Sequence, residues 1–152
     1  MSTFKSGMLE DVRIGVRFKI SSLWIAMLFL FAYGDIFGFL EPGRIEEVMG
    51  GEVSGIEITG GFLFAVSVYI AIASVMVFLT LVLRPGVIRW TNIVFPILYI
   101  VSIVASAIGE SAYFVFLSVV ESALLLLIIW YAWTWPREQE RQQPRFRPDE
   151  GR

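Results

Sequence analysis

Four uninterrupted apolar runs, residues 23–40, 62–83, 90–108 and 112–135, fill more than half of this 152-residue chain and leave it few ways to fold. Each is close to the roughly 20 residues that a helix needs to cross about 30 Å of hydrocarbon. Lipid-exposed backbone crosses a bilayer only as helices or a closed barrel. Barrel strands alternate polar and apolar residues in segments of about ten, whereas strings such as LLLLIIW and MVFLTLVL do not alternate. The expectation is an all-α membrane protein, a four-transmembrane-helix bundle. Composition agrees, since 57% hydrophobic against 17% charged residues suits neither a disordered chain nor a soluble globule.

The side chains exclude much chemistry. With no Cys and no His, the chain has no disulfide, no thiolate or imidazole metal site and no catalytic dyad built on a histidine base. No metal, no cofactor, no catalytic residue and no nucleic-acid partner are expected.

Charge asymmetry sets the expected orientation. Eleven of the twelve Lys and Arg lie in the N-terminal segment, the connection around Arg84 and Arg89, and the tail; only Arg44 lies on the other side. By the positive-inside rule both termini are cytoplasmic. All five Trp, at 24, 90, 130, 133 and 135, fall towards that same face, where indoles favour the headgroup region.

Three parts follow. Residues 1–20 read as a cytoplasmic amphipathic segment with Leu9, Val12, Val16 and Ile20 on one face. Residues 21–136 form the transmembrane domain, with spans at about 21–40, 61–83, 88–108 and 112–135, and residues 137–152 a disordered cytoplasmic tail. Ala32-Tyr33-Gly34 loosely mimics a signal-peptide cleavage site, but the apolar run continues to Leu40, so the helix is read as retained. Ser21 or Ser22 is the expected N-cap of the first helix and Thr59 that of the second.

The one sizeable loop, residues 41–60, is expected outside the cytoplasm. Pro42-Gly43 opens a short helix over residues 44–49, Gly50-Gly51 ends it, and residues 56–59 are extended. Five glutamates stand there against Arg44. They suit a solvated acidic face; a weak Ca²⁺ site is the sharper alternative.

Within the four apolar runs only two residues carry charge, Asp35 and Glu121, and an ionisable group in a membrane is a functional hypothesis by default. Counted from the outer helix ends at about 1.5 Å per residue, Asp35, Glu121, Ser67, Ser102 and Ser118 fall near one depth. One polar layer in the outer half is expected. Gly34 and Gly38 form a GxxxG pair flanking Asp35, a spacing that lets helices approach closely. Asn92 and Pro96 read as an interhelical or interfacial bond and a kink.

The strings GDIFGFLEPG (34–43), GEVSGIEIT (51–59), RWTNI (89–93) and VESALLLLIIWYAWTWP (120–136) resemble a family of small prokaryotic four-helix membrane proteins known only as a domain of unknown function. The similarity spans residues 12–136. It implies a four-helix fold in the plasma membrane, and carries over no activity, cofactor or site residue.

Two functions fit these residues. A non-enzymatic structural or interaction protein, with the acids and serines as interhelical glue, needs nothing further. A small proton- or cation-coupled transporter, working as a homo-oligomer, would use Asp35 and Glu121 to take up its ion. The expected partners are the lipid bilayer and a second copy or another membrane protein. An intramembrane enzyme ranks last, because the acid pair is one Asp and one Glu and no base serves a serine nucleophile.

Overall fold

The computed structural model describes residues 14–135, so the amphipathic reading of the first 13 residues and the tail after Trp135 lie outside the described residues. Four long helices dominate: α1 (Val16–Phe39), α3 (Gly60–Val82), α4 (Pro85–Ser106) and α5 (Ala112–Trp133). All four are long and apolar enough to span a membrane. At 22 to 24 residues each, they reach roughly 33–36 Å at about 1.5 Å per residue. Between α1 and α3 lie the short helix α2 (Arg44–Met49) and a two-stranded ribbon, β1 (Glu52–Val53) against β2 (Ile56–Glu57).

α1 begins earlier than expected, at Val16, with Gly15 in extended backbone as its N-cap. Ser21 and Ser22 therefore lie inside the helix. The apolar residues explain why: Ile20, Trp24 and Met27 recur at helical spacing and are all buried, so the helix must include Ile20 to bury it. The serine hydroxyls bond backbone carbonyls instead, Ser22 its own helix at Phe18 (2.8 Å) and Ser21 Val77 of α3 (3.0 Å). Thr59 does cap α3, its Oγ1 accepting from the Phe62 amide at 3.1 Å.

The break between α3 and α4 follows from one residue. Pro85 occupies the first turn of α4, and the residue before a proline is driven out of helical backbone; Arg84 is extended at φ −62°, ψ 142°. At the ribbon, Ser54 and Gly55 both have positive φ, 49° and 73°, the backbone of a two-residue type I′ hairpin turn. The strands pair Glu52 with Glu57 and Val53 with Ile56.

α1 packs along both α3 and α5, and α4 along α5, while α3 and α4 touch little despite being consecutive. The outside is apolar, with Phe29, Phe64, Phe78, Val101 and Phe116 all exposed. The interior holds the polar groups Ser21, Thr80, Asn92, Ser118 and Glu121. That inversion suits hydrocarbon, where apolar exposure is free of penalty and polar groups must find partners inside.

The two ends differ in charge. At one, Arg17 donates to the Leu81 carbonyl at the end of α3 (2.8 Å) and Arg89 to the Trp133 carbonyl at the end of α5 (3.2 Å), capping two helix C-termini with cations. Their guanidinium groups also lie over indole rings, Arg17 over Trp135 at 5.7 Å and Arg89 over Trp133 at 5.8 Å. At the opposite end Arg44 gathers three carboxylates, Glu41 (3.0 Å), Glu47 (3.2 Å) and Glu110 (3.7 Å), and donates to Ser54 (2.7 Å). It thereby ties the α1–α3 connection to the α4–α5 turn. The Ser111 hydroxyl and the Arg44 guanidinium beside Glu41 hold its carboxyl below the usual glutamate range, and the Glu41 carboxylate in turn raises Arg44 further.

Trp24 departs from its expected place at the membrane interface. It is completely buried, and its indole Nε1 donates to Asn92 Oδ1 at 2.7 Å. Asn92 is satisfied on both sides, its Nδ2 reaching the Ile88 carbonyl (2.9 Å) and Thr80 Oγ1 (3.3 Å). One amide thus joins α1, α3 and α4. A buried Trp requires such an acceptor, and Asn92 is the group that supplies it.

Candidate functional site: a central cavity with two carboxyl groups

All four long helices contribute to a cavity of about 350 Å³ in the half of the bundle nearer Arg44. α1 brings Phe31, Gly34 and Asp35; α3 brings Val66, Tyr69 and Ile70. α4 adds Ser102, Ile103 and Ser106, and α5 adds Phe114, Leu117, Ser118 and Glu121. Asp35 sits four residues before the end of α1 and Glu121 nine residues into α5, depths of about 6 Å and 14 Å at 1.5 Å per residue. Asp35 is exposed at the shallow edge, whereas Glu121 retains only 6% of its surface.

Neither carboxyl has a hydrogen-bond or ion-pair partner among the described residues; the ion pairs found there all belong to Arg44. The two acids line the same cavity. No cationic side chain lines the cavity. Buried polar groups are ordinarily paired, so an unpartnered carboxyl facing an open volume is the site's defining feature.

The opposite wall is built by a reciprocal clasp between α3 and α4. Tyr69 and Ser102 hydroxyls lie 2.7 Å apart, and Ser102 Oγ donates to the Tyr99 carbonyl at 2.8 Å. Ser102's only proton is thus committed, so Tyr69 donates to Ser102. Tyr99 O–H returns to the Tyr69 carbonyl. The two phenol rings lie 4.4 Å apart, with Phe31 of α1 stacked on Tyr69 at 5.9 Å and Trp24 edge-on to Tyr99 at 5.7 Å. This aromatic floor separates the cavity from the Trp24–Asn92–Thr80 network.

Of the residues expected in one polar layer, Asp35, Ser102, Ser118 and Glu121 all line the cavity. Ser67 does not: it is exposed on the outside of α3, and its hydroxyl donates to the Leu63 carbonyl of its own helix at 2.8 Å. Depth alone placed it in the layer, and depth says nothing about which way a helix face turns. Gly34 and Gly38 face α5, where a Cβ would meet Leu117 at 3.7 Å and the Tyr113 hydroxyl at 3.8 Å, ordinary contact distances. The GxxxG pair therefore receives side chains, and the backbones themselves do not touch there. Tyr69 and Tyr99 went unnoticed in the sequence, since two tyrosines in apolar helices carry no local signal of meeting.

Fold and cavity define a class, a small all-α membrane protein whose four long helices line an open acidic cavity. The chain belongs to a family of unknown function, DUF6326, whose model matches residues 13–142. No curated protein and no solved structure matches it.

Proposed function

We propose that this protein is a non-enzymatic, multi-pass membrane protein that works as a small proton- or cation-coupled carrier, with the central cavity as its binding site. The observation that carries this reading is Glu121: nine-tenths buried, without a protein partner, and on the cavity wall. A carboxyl held in a membrane is costly, and pure interhelical glue would bond a neighbouring helix. Four helices are few for a monomeric carrier, so the working form in this reading is a homo-oligomer.

In this reading the membrane is a prokaryotic plasma membrane and both termini are in the cytoplasm; the eleven-to-one Lys and Arg asymmetry supports the orientation. Single cysteines at Glu47 and Ser111 then react with an impermeant thiol reagent in intact cells, and one at Gln139 does not. Labelling at Gln139 reverses the orientation.

The function itself is tested by flux in proteoliposomes under an imposed pH gradient. Asp35→Asn and Glu121→Gln are expected to leave the fold intact and abolish gradient-driven flux. A second reading, a structural or interaction protein, is favoured by the Trp24–Asn92–Thr80 network, in which three buried polar side chains from three helices satisfy one another. Unchanged flux in both variants, with a defined partner co-purifying, selects it.

A further inference from the structure

We infer that the cavity takes an organic monocation with a compact apolar body, and that Glu121 is its counter-ion. This rests on the reading of the cavity as a binding site and names what binds there.

The walls decide the class. An inorganic cation stripped of water needs several oxygen ligands converging at short range, six to eight for Ca²⁺ and a near-octahedral set for Mg²⁺. The cavity offers two carboxyls from different depths and the hydroxyls of Ser102, Ser106 and Ser118, and Ser102 Oγ already accepts from Tyr69. No group of three or more acids is spaced to hold a metal among the described residues. The remaining wall is largely apolar and aromatic, with Phe31, Phe114, Ile70, Leu117 and Tyr69. Such a surface repels a hydrated metal ion and suits an alkylated ammonium, whose diffuse charge is weakly hydrated and is attracted to aromatic faces.

Size and charge narrow it further. A volume of about 350 Å³ lies at the small end of ordinary ligand pockets, roughly 300–1,000 Å³, which suits one ring or a short branched chain. An anion is disfavoured by both carboxyls, and a neutral solute would leave Glu121 buried and unpaired. Glu121 is the deep acid and Asp35 the exposed one at the edge, so a cation that fills the volume places its charge beside Glu121 and passes Asp35 on the way.

The full chain in lipid nanodiscs is titrated with benzyltrimethylammonium by calorimetry, with tetramethylammonium and Na⁺ as comparison ions. Wild type is expected to bind benzyltrimethylammonium saturably at one site per chain, and the two comparison ions more weakly. Glu121→Gln is expected to weaken binding by about tenfold or more, as when one side of a buried charge pair is removed. Glu121→Asp, which keeps the charge, retains most of it. Val66→Phe, which narrows the cavity and leaves both acids in place, weakens binding and guards against a Glu121→Gln chain that fails to fold. Wild-type affinity in Glu121→Gln, absence of saturable binding in wild type, or Na⁺ binding as tightly as the organic ion each overturns the inference. Flux that persists without organic-cation binding removes this inference and leaves the carrier; binding without flux removes the carrier and leaves the site.

Discussion

Tyr69 and Tyr99 fasten α3 to α4 where those helices otherwise part, each hydroxyl reaching across, Tyr69 to Ser102 Oγ and Tyr99 to the Tyr69 carbonyl, with ring centroids 4.4 Å apart. Without this clasp little holds the fourth wall of the cavity to the third. Tyr69→Phe and Tyr99→Phe are each expected to lower stability by about 1 kcal/mol, the usual scale of an interhelical hydrogen bond in a membrane. Because the two bonds close one ring, the double variant should lose less than the sum of the singles. Thermal unfolding in detergent measures both; strict additivity would show that the bonds act independently.

The Trp24–Asn92 bond gives a second prediction. Trp24→Phe leaves the fully buried Asn92 Oδ1 without its 2.7 Å donor, a loss of about 1–3 kcal/mol including the indole's packing. Asn92→Leu removes acceptor and donor together but strands the buried indole N–H, and is expected to cost a similar amount. The pair changed together to Phe and Leu should recover part of the loss, which the same unfolding assay detects.

At the glycines, size is decisive. Ordinary contact distances of 3.7 and 3.8 Å admit one methyl group, so Gly34→Ala and Gly38→Ala should be close to neutral. Leucine at either place must displace Leu117 or Tyr113 and is expected to lower stability by about 1–3 kcal/mol, as overpacking does elsewhere. Wild-type melting of both leucine variants would mean that this face of α1 does not pack on α5.

Much of this was open to reading in the sequence, and the failures share a cause. Apolar run length located four helices, Thr59 marked a boundary, and residues 44–49 read as a short helix from their flanking glycines, whereas Pro85, which starts α4 three residues before the expected span, was not read as a boundary. These are local signals. Ser21 and Ser22 misled because a cap is a local preference, while the burial of Ile20 is a tertiary demand that extended α1 to Val16. Trp24 misled for the converse reason, since nothing near it in the chain reveals that Asn92, 68 residues away, supplies its acceptor. Ser67 was placed by depth, and rotation about the helix axis took it to the outside. Asp35 and Glu121 were legible because charge in an apolar run stands out whatever its partners.

The Arg44 cluster predicts a pH dependence confined to one end of the bundle. Glu41 is held below its ordinary range by Ser111 and Arg44. A depressed carboxyl contributes stability that is fully present above its unfolded value and is lost as pH falls through the lowered folded value. Exchange protection in residues 41–57, the observed rate set against the intrinsic rate at the same pH, should therefore stay constant from neutrality down to the ordinary glutamate range and fall only below it. Arg44→Gln should raise exchange at every pH and flatten that dependence.

The central claim, that a cation-accepting cavity lies between the four helices, is tested most directly by charge-selective labelling. The chain has no cysteine, so Ser118→Cys places a single thiol on the cavity wall beside Glu121. Its reaction rates with a trimethylammonium-bearing and a sulfonate-bearing methanethiosulfonate of similar size are compared in nanodiscs, each divided by that reagent's rate with a small free thiol, since a thiolate by itself favours the cationic reagent. The cationic reagent should react about tenfold faster or more, the scale on which a charged cleft concentrates its counter-ion. That advantage should vanish when Asp35→Asn and Glu121→Gln are added. Equal rates for the two reagents, or no reaction with either, would contradict the account.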